Sequence, residues 1–129
     1  MNSEQRNLAW GKLRSVPGKH PFFWRTDPCG ALIFRFSYGN RKSQWGWEVD
    51  HVYPISLQDN ITERPVDGIH NKHNLRAMHW RNNKSKDNYY PSYDSAVTYD
   101  SQKGINVKSN KRFYVNKLTQ AILKSKFGL

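Results

Sequence analysis

Short apolar runs separated by turn-forming residues are the dominant pattern in the first half of the chain. Residues 31–38 form a β-prone run, and residues 44–49 resume a strand-like pattern that contains two tryptophans. Turn-forming residues 39–43 lie between the two runs. The pattern therefore predicts a hairpin or two neighbouring strands, and it puts Asp50 and His51 at a strand end.

A long polar segment and two further elements follow. Residues 54–72 carry several breakers and turn formers and predict a loop. Residues 75–78 predict a short returning strand. Residues 80–88 lack breakers and predict a polar, basic helix that begins where this strand ends.

The two flanks of the chain give weaker patterns. Residues 3–14 predict a short helix with Ser3 as its N-cap, and residues 92–105 predict irregular structure. Residues 111–126 predict a basic helix whose C-terminal end is marked by Gly128. The candidate N-caps of that helix are Ser109 and Asn110, and its apolar stripe is Val115, Leu118 and Ile122.

Phe22, Phe23 and Trp24 form an aromatic cluster ahead of the first strand-like run. Two interpretations are open: the rings anchor the N-terminal residues to the core, or they stack on the bases of a nucleic acid. Anchoring is favoured, because stacking requires exposed rings and exposure cannot be read from a sequence.

The charge of the chain indicates its class of partner. Twenty-one Lys and Arg residues stand against ten Asp and Glu, a formal charge of +11, so nucleic acid is expected ahead of an anionic membrane. No apolar run approaches membrane-spanning length and residues 1–7 lack the apolar region of a secretory signal, so we expect a soluble, intracellular protein. The single cysteine, Cys29, excludes an internal disulfide.

Asp50 and His51 have complementary chemistry for phosphodiester hydrolysis. A carboxylate is a hard oxygen ligand suited to Mg²⁺, and a neutral imidazole can take a proton from water near pH 7. The imidazole also needs a hydrogen-bond partner on its second ring nitrogen, which Asn74 on the facing strand could supply. Asp-His pairs also occur by chance, so the spacing alone does not establish a site.

Residues 45–90 resemble the HNH endonucleases, whose shared core is the ββα-metal (His-Me) finger. The resemblance lies in WEVDHVYP at residues 47–54, in Asn74-Leu75 and in NNKSK at residues 82–86. It implies an α+β fold in which a finger core carries an N-terminal strand and aromatic arm and a C-terminal basic helix. The implied organisation is one domain over residues 1–129, with an arm (1–21), a core (22–91) and a C-terminal extension (92–129).

The resemblance also implies a metal-dependent endonuclease that hydrolyses DNA phosphodiester bonds and leaves 5′-phosphates. By the family pattern His51 is the general base, Asn74 orients that base, and Asp50 is a ligand of a single Mg²⁺ or Mn²⁺ ion. The expected contacts to DNA phosphates are Arg41, Lys42, Arg81, Lys84 and Lys86.

The second metal ligand is expected on the helix. In the family this ligand is followed three residues later by Lys, and Asn83 with Lys86 fits that pattern, so Asn83 is preferred to Asn82. Residues three apart share one face of a helix, so Lys86 is expected near the scissile phosphate.

Zinc is a point of departure from the family. Many HNH proteins hold a structural zinc with paired cysteines, but here His79 and Asn82 stand at such positions, so no structural zinc is expected. His70 and His73 have ligand-like spacing, but one such pair is weak for zinc, and a solvated loop or a phosphate contact is favoured.

Two other functions remain open beside the nuclease. One is a catalytically silent nucleic-acid-binding protein that keeps an HNH-like scaffold inside a larger assembly. The other is a small interaction subunit whose basic C-terminal helix docks an acidic partner. A homodimer or a protein partner is expected to supply specificity, since few sequence-reading elements are visible in so short a chain.

Overall fold

The computed structural model describes all residues, 1–129. Three helices and eight short strands alternate along the chain, so the expected mixed α+β class is confirmed. In chain order the elements are α1 (Ser3–Gly11), β1 (Trp24–Thr26), β2 (Leu32–Phe34), β3 (Trp47–His51), β4 (Leu75–His79), α2 (Trp80–Lys86), β5 (Ser92–Asp94), β6 (Val97–Asp100), β7 (Ile105–Lys108), β8 (Arg112–Tyr114) and α3 (Lys117–Phe127).

The strands form four two-stranded antiparallel sheets, and the pair β3–β4 lies between the two hydrophobic cores. Its register sets Trp47 opposite His79, Asp50 opposite Arg76 and His51 opposite Leu75. Helix α2 starts at the residue after β4 ends. The returning strand and the helix predicted after it are therefore confirmed, with the helix ending two residues earlier than expected.

Alternating residues of β4 supply both cores. Ala77 packs on one side with Trp10 and Trp47, whereas Met78 packs on the other side with Cys29 among its neighbours. Neighbouring side chains of a strand point to opposite faces, so a strand pair covered on both faces can feed two clusters. The strand pair is thereby packed on both faces, which fixes the position of the residues at its ends, including His51.

The N-terminal helix α1 is part of this packing. Its N-cap is Asn2, not Ser3, because the side chains and backbones of Asn2 and Gln5 form a reciprocal capping box. Trp10 is 1% exposed, and its ring centroid lies 5.3 Å from that of Trp47. The segment expected as an arm thus contributes a core helix.

The first strand-like run is shorter than predicted and has a different partner. Only Leu32–Phe34 is strand, since Arg35–Ser37 forms a 3₁₀ turn. This strand pairs with β1, so the expected pairing of the run with β3 was wrong. Apart from an isolated bridge between Tyr38 and Trp47, the run touches β3's lead-in through one backbone hydrogen bond, from Phe34 N to Trp45 O at 3.1 Å.

The C-terminal third contains more strand than predicted. Residues 92–105 hold β5, β6 and the start of β7, so the expected irregular structure was wrong. Helix α3 begins at Lys117 because residues 112–114 pair with β5, and its N-cap is Asn116 instead of Ser109 or Asn110.

The buried face of α3 also differs from the predicted stripe. Leu118 is 72% exposed, whereas Leu123 and Phe127 are fully buried. Gly128 ends the helix in the left-handed conformation, as predicted.

The long segment between β3 and β4 is irregular, as predicted. It contains 3₁₀ turns at Ile55–Asn60 and Gly68–His70 and no strand. None of the three helices is both long and apolar enough to cross a bilayer.

Candidate functional site

His51 ends β3 and meets a second imidazole. Its Nε2 lies 2.8 Å from Nδ1 of His70, with the two rings 4.9 Å apart and inclined by 66°. Burial, followed by the neighbouring His70 charge, lowers the pKa of His51 to about 4. The imidazole is therefore neutral near pH 7, and its Nδ1, which makes no hydrogen bond, has a free lone pair in the tautomer that carries the hydrogen on Nε2.

Asn74 holds the loop that carries His70. Its side chain is fully buried, its Nδ2 donates to Tyr53 O and Ile69 O at 3.0 Å each, and its Oδ1 accepts from Tyr53 N at 2.6 Å. The expectation that Asn74 bonds the imidazole of His51 is corrected, because both N–H groups and the oxygen of the amide bond these backbone groups instead. Asn74 acts one step away, by fixing the residue that precedes His70.

Asp50 is a buried carboxylate between two cations. Its Oδ2 accepts from Nε of Arg76, the residue opposite it in β4, at 3.0 Å, and its Oδ1 lies 3.3 Å from Nζ of Lys86. The carboxylate is 4% exposed. Since a carboxylate has about four lone-pair sites, two remain for other partners.

Lys86 is a buried counter-ion and not a surface contact. It is 0% exposed, and its Nζ also donates to the carbonyls of His51 and Val52 at 3.2 and 3.0 Å. Burial lowers the pKa of Lys86, while Asp50 acts in the opposite direction. The expectation that Lys86 lies near the scissile phosphate is therefore corrected: it ties helix α2 to the end of β3.

Asn83 and Glu48 form the adjoining part of the same face. Asn83 Nδ2 donates to Glu48 Oε1 at 3.1 Å, and Arg41 binds both oxygens of that carboxylate at 2.7 and 3.0 Å. Glu48 precedes Asp50 by two residues and so points to the same side of the strand. The Asn83 amide oxygen makes no hydrogen bond in the structure, which leaves it free to bind a ligand.

Asn82 has no such freedom. It is fully buried, and its Nδ2 donates to Asp27 Oδ2 and Val97 O while its Oδ1 accepts from Ala96 N and Val97 N. All hydrogen-bonding positions of this amide are occupied. Of the two adjacent asparagines, only Asn83 can offer an oxygen to a metal.

The remaining cations expected to contact DNA lie on the surface. Lys42, Arg81 and Lys84 are exposed, and the guanidinium of Arg81 lies 4.4 Å from the ring centroid of Trp80. Arg41 is also exposed, but its guanidinium is engaged by Glu48. Three of the five predicted phosphate contacts are thus unpaired with any acidic side chain.

The donors around Asp50 fit a hard divalent cation in type. No three His, Cys, Asp or Glu side chains converge as a metal-binding group, so a metal here would also need the amide oxygen of Asn83. Carboxylate and amide oxygens suit Mg²⁺, which keeps several water ligands. The charges of Arg76 and Lys86 oppose a metal, so we expect weak binding until a DNA phosphate adds negative charge.

Sequence reasoning missed two members of this cluster. His70 lies in the loop, as expected, but its contact with His51 was not predicted, and the only signal available was its histidine chemistry in a loop that returns to β4. Arg76 lies opposite Asp50 in the register of β3 and β4, and the long irregular segment between these strands leaves that register unspecified by the sequence.

Comparisons with known proteins add no relatives: no family model matches the chain, and neither curated proteins nor solved structures give a match. A function can therefore be assigned only from the residues of this chain and their arrangement.

Proposed function

We propose that the chain is a metal-dependent endonuclease of the HNH type that hydrolyses DNA phosphodiester bonds. The observation that supports this most is the position of four residues on β3, on α2 and directly before β4, three elements that pack against one another. His51 ends β3, Asn74 precedes β4, and Asp50 faces the helix that carries Asn83. Each is the residue type that the proposed chemistry requires at its place in a ββα-metal finger.

In the proposed reaction His51 takes a proton from the attacking water. Its burial keeps the imidazole neutral, which maintains the free base over the physiological pH range. If Nε2 of His51 carries the hydrogen and donates to His70, then Nδ1 of His51 is the basic nitrogen. His70 is then a positioning residue that selects the tautomer.

Asp50 and Asn83 would hold the divalent cation. Bound there, the ion would supply positive charge that stabilises the leaving 3′ oxygen. The chain's own contribution is to keep the two oxygen ligands on facing elements, with Lys86 fixing α2 against the end of β3. Lys42, Arg81 and Lys84 would bind phosphates of the duplex without reading its sequence.

A catalytically silent nucleic-acid-binding protein is the alternative, and two observations favour it. Asp50 is already neutralised by Arg76 and Lys86, and Nε2 of His51 is already occupied by His70. Such a site could be a structural remnant. The surface cations would then give salt-dependent binding with no cleavage.

A supercoiled-plasmid assay with Mg²⁺, Mn²⁺ or a chelator separates the two. The nuclease predicts metal-dependent nicking that His51→Ala slows by about 10²–10⁴-fold, the usual contribution of a general base. DNA binding measured in chelator should stay nearly unchanged in that variant.

His73→Ala is the matched control, because His73 lies in the same loop and makes no side-chain hydrogen bond. This control should cleave like the wild-type chain. Full activity in His51→Ala would refute the assignment, and salt-sensitive binding without nicking under either metal would establish the silent alternative.

A further inference from the structure

Four phenylalanines pack against one another on the surface beside β1 and β2. We call Phe22, Phe23, Phe34 and Phe36 the phenylalanine cluster. Ring centroids are 4.9 Å apart for Phe22 and Phe23, 6.0 Å for Phe23 and Phe36, and 5.8 Å for Phe34 and Phe36. The rings come from the turn before β1, the end of β2 and the turn after it, so the fold gathers them from separate segments.

Three of the four rings are exposed to solvent, and Phe34 is half-buried beneath them. Phe36 is 67% exposed, Phe22 is 47% exposed and Phe23 is 37% exposed. Anchoring of the N-terminal residues does not account for them, because Trp10 does that from inside the core at 1% exposure. A contiguous group of exposed aromatic rings typically marks an interaction site.

The surroundings of the cluster are strongly cationic. The guanidinium of Arg35 lies 4.5 Å from the ring centroid of Phe22, and Nζ of Lys19 lies 5.0 Å from that of Trp24. Between residues 5 and 47 the chain has eight Lys and Arg and a single acidic residue, Asp27, which is buried. The cluster therefore presents exposed aromatic rings beside two cationic side chains, in a stretch of the chain that is basic overall.

We propose that the phenylalanine cluster is a stacking platform for unpaired bases of a single-stranded nucleic acid, with Arg35 and Lys19 beside its phosphates. Single-stranded nucleic acid satisfies both observations at once, since its bases have flat π-faces and its backbone is anionic. An acidic protein would match the charge but would not require flat rings. A duplex would match the charge but hides its base faces. This binding site does not depend on the endonuclease activity proposed above.

Fluorescence anisotropy of a labelled oligothymidylate and of a duplex of equal length tests the platform. Chelator is present throughout, so that cleavage cannot change the probe. Phe36→Ala should weaken binding of the single strand by about 5- to 150-fold, the range found when one stacked aromatic is removed. Its effect on the duplex should be less than about twofold.

Phe36→Leu separates stacking from simple apolar contact. Leucine keeps apolar area but has no flat face, so this variant should lose single-strand binding nearly as Phe36→Ala does. Lys19→Gln should lower the salt slope of single-strand binding by about one, whereas both Phe36 variants should leave that slope unchanged.

Tyr114→Ala is the matched control, since Tyr114 is also an aromatic residue with 67% exposure but lies on β8. It should bind both probes like the wild-type chain, and unchanged thermal melting should show that all variants are folded. Full single-strand binding by Phe36→Ala would overturn the proposal. Wild-type-like single-strand binding by Phe36→Leu would also overturn it, in favour of apolar contact with the strand without stacking.

Discussion

Asn82 and Asn83 are neighbours on α2, yet their amides lie in opposite environments. The amide of Asn82 is buried and makes four hydrogen bonds that join β1's following turn, α2 and β6. The amide of Asn83 makes one hydrogen bond, to Glu48, and keeps its oxygen free. An asparagine with all of its polar atoms hydrogen-bonded thus supports the structure, whereas one with an unbonded oxygen can also bind a ligand.

Asn74 and His51 differ in the same way as Asn82 and Asn83. Asn74 is fully satisfied by backbone groups, whereas His51 is held by a single contact with His70. Groups whose hydrogen bonds are complete should govern stability, and groups with free atoms should govern chemistry. Substitutions at both kinds of group test that division.

Asn82→Ala should destabilise the fold by about 3–5 kcal/mol. The substitution removes four buried hydrogen bonds and takes one donor from the buried carboxylate of Asp27, and unsatisfied buried groups cost far more than exposed ones. Urea unfolding followed by tryptophan fluorescence measures the effect. A loss of stability below about 1 kcal/mol would contradict the structural role of Asn82.

Asn83→Ala should leave stability within about 1 kcal/mol but lower metal-dependent cleavage by about 10²-fold, because a lost ligand removes stabilisation of the leaving oxygen. Raising the Mn²⁺ concentration should restore part of the rate. Asn82→Ala provides the matched comparison on the same helix. An Asn83 variant that is unstable but fully active would reverse the assignment of the two asparagines.

His70→Gln should lower the cleavage rate by about tenfold, less than the roughly 10²-fold or more for loss of the base itself, because His70 acts only through His51. His70→Asn should retain most activity, because the Oδ1 of Asn can occupy the position of Nδ1 and accept from His51 Nε2. The ¹⁵N shifts of the His51 ring report its tautomer directly, even in a protein that does not cleave. Equal behaviour of the two variants would exclude selection of the tautomer by His70.

The smallest expected effect is a change in the pKa of His51. Burial is the first cause of the lowered pKa of His51 and the charge of His70 the second, so His70→Asn should raise that pKa while leaving it below the ordinary value of 6.5. In the wild-type chain the acidic limb of kcat/KM should therefore lie below pH 6.5. Titration of the His51 C2 proton by NMR checks both statements, and a wild-type pKa at or above 6.5 would contradict them.

Local patterns were enough to predict the centre of the fold. The strand that ends in Asp50 and His51, the irregular segment after it, the returning strand and the polar helix follow one another closely in sequence. Each element is predicted by its own composition and by the helix- or strand-breaking residues at its boundaries. The preference for Asn83 over Asn82 as the metal ligand came from the family pattern and stays a prediction, and the structure adds that only the Asn83 oxygen is without a hydrogen bond.

Pairing between distant segments could not be predicted in the same way. Strand β5 is three residues long and pairs with β8 across Ser92 and Tyr114, so neither strand has enough length to show an alternating pattern. The ion pairs of Asp50 likewise depend on a strand register and a helix position that no local window contains. Exposure of the phenylalanine cluster was unreadable for the same reason.

Cys29 is packed in the core beside Met78, so the rate at which its thiol is modified reports how often this core opens. Burial, followed by the charge of Asp27, raises the pKa of its thiol, and only the thiolate reacts with disulfide reagents. Because this is the chain's single cysteine, the rate of modification would count openings of one identified core with no introduced label. Rates collected over a series of urea concentrations would convert that count into an opening free energy for the core.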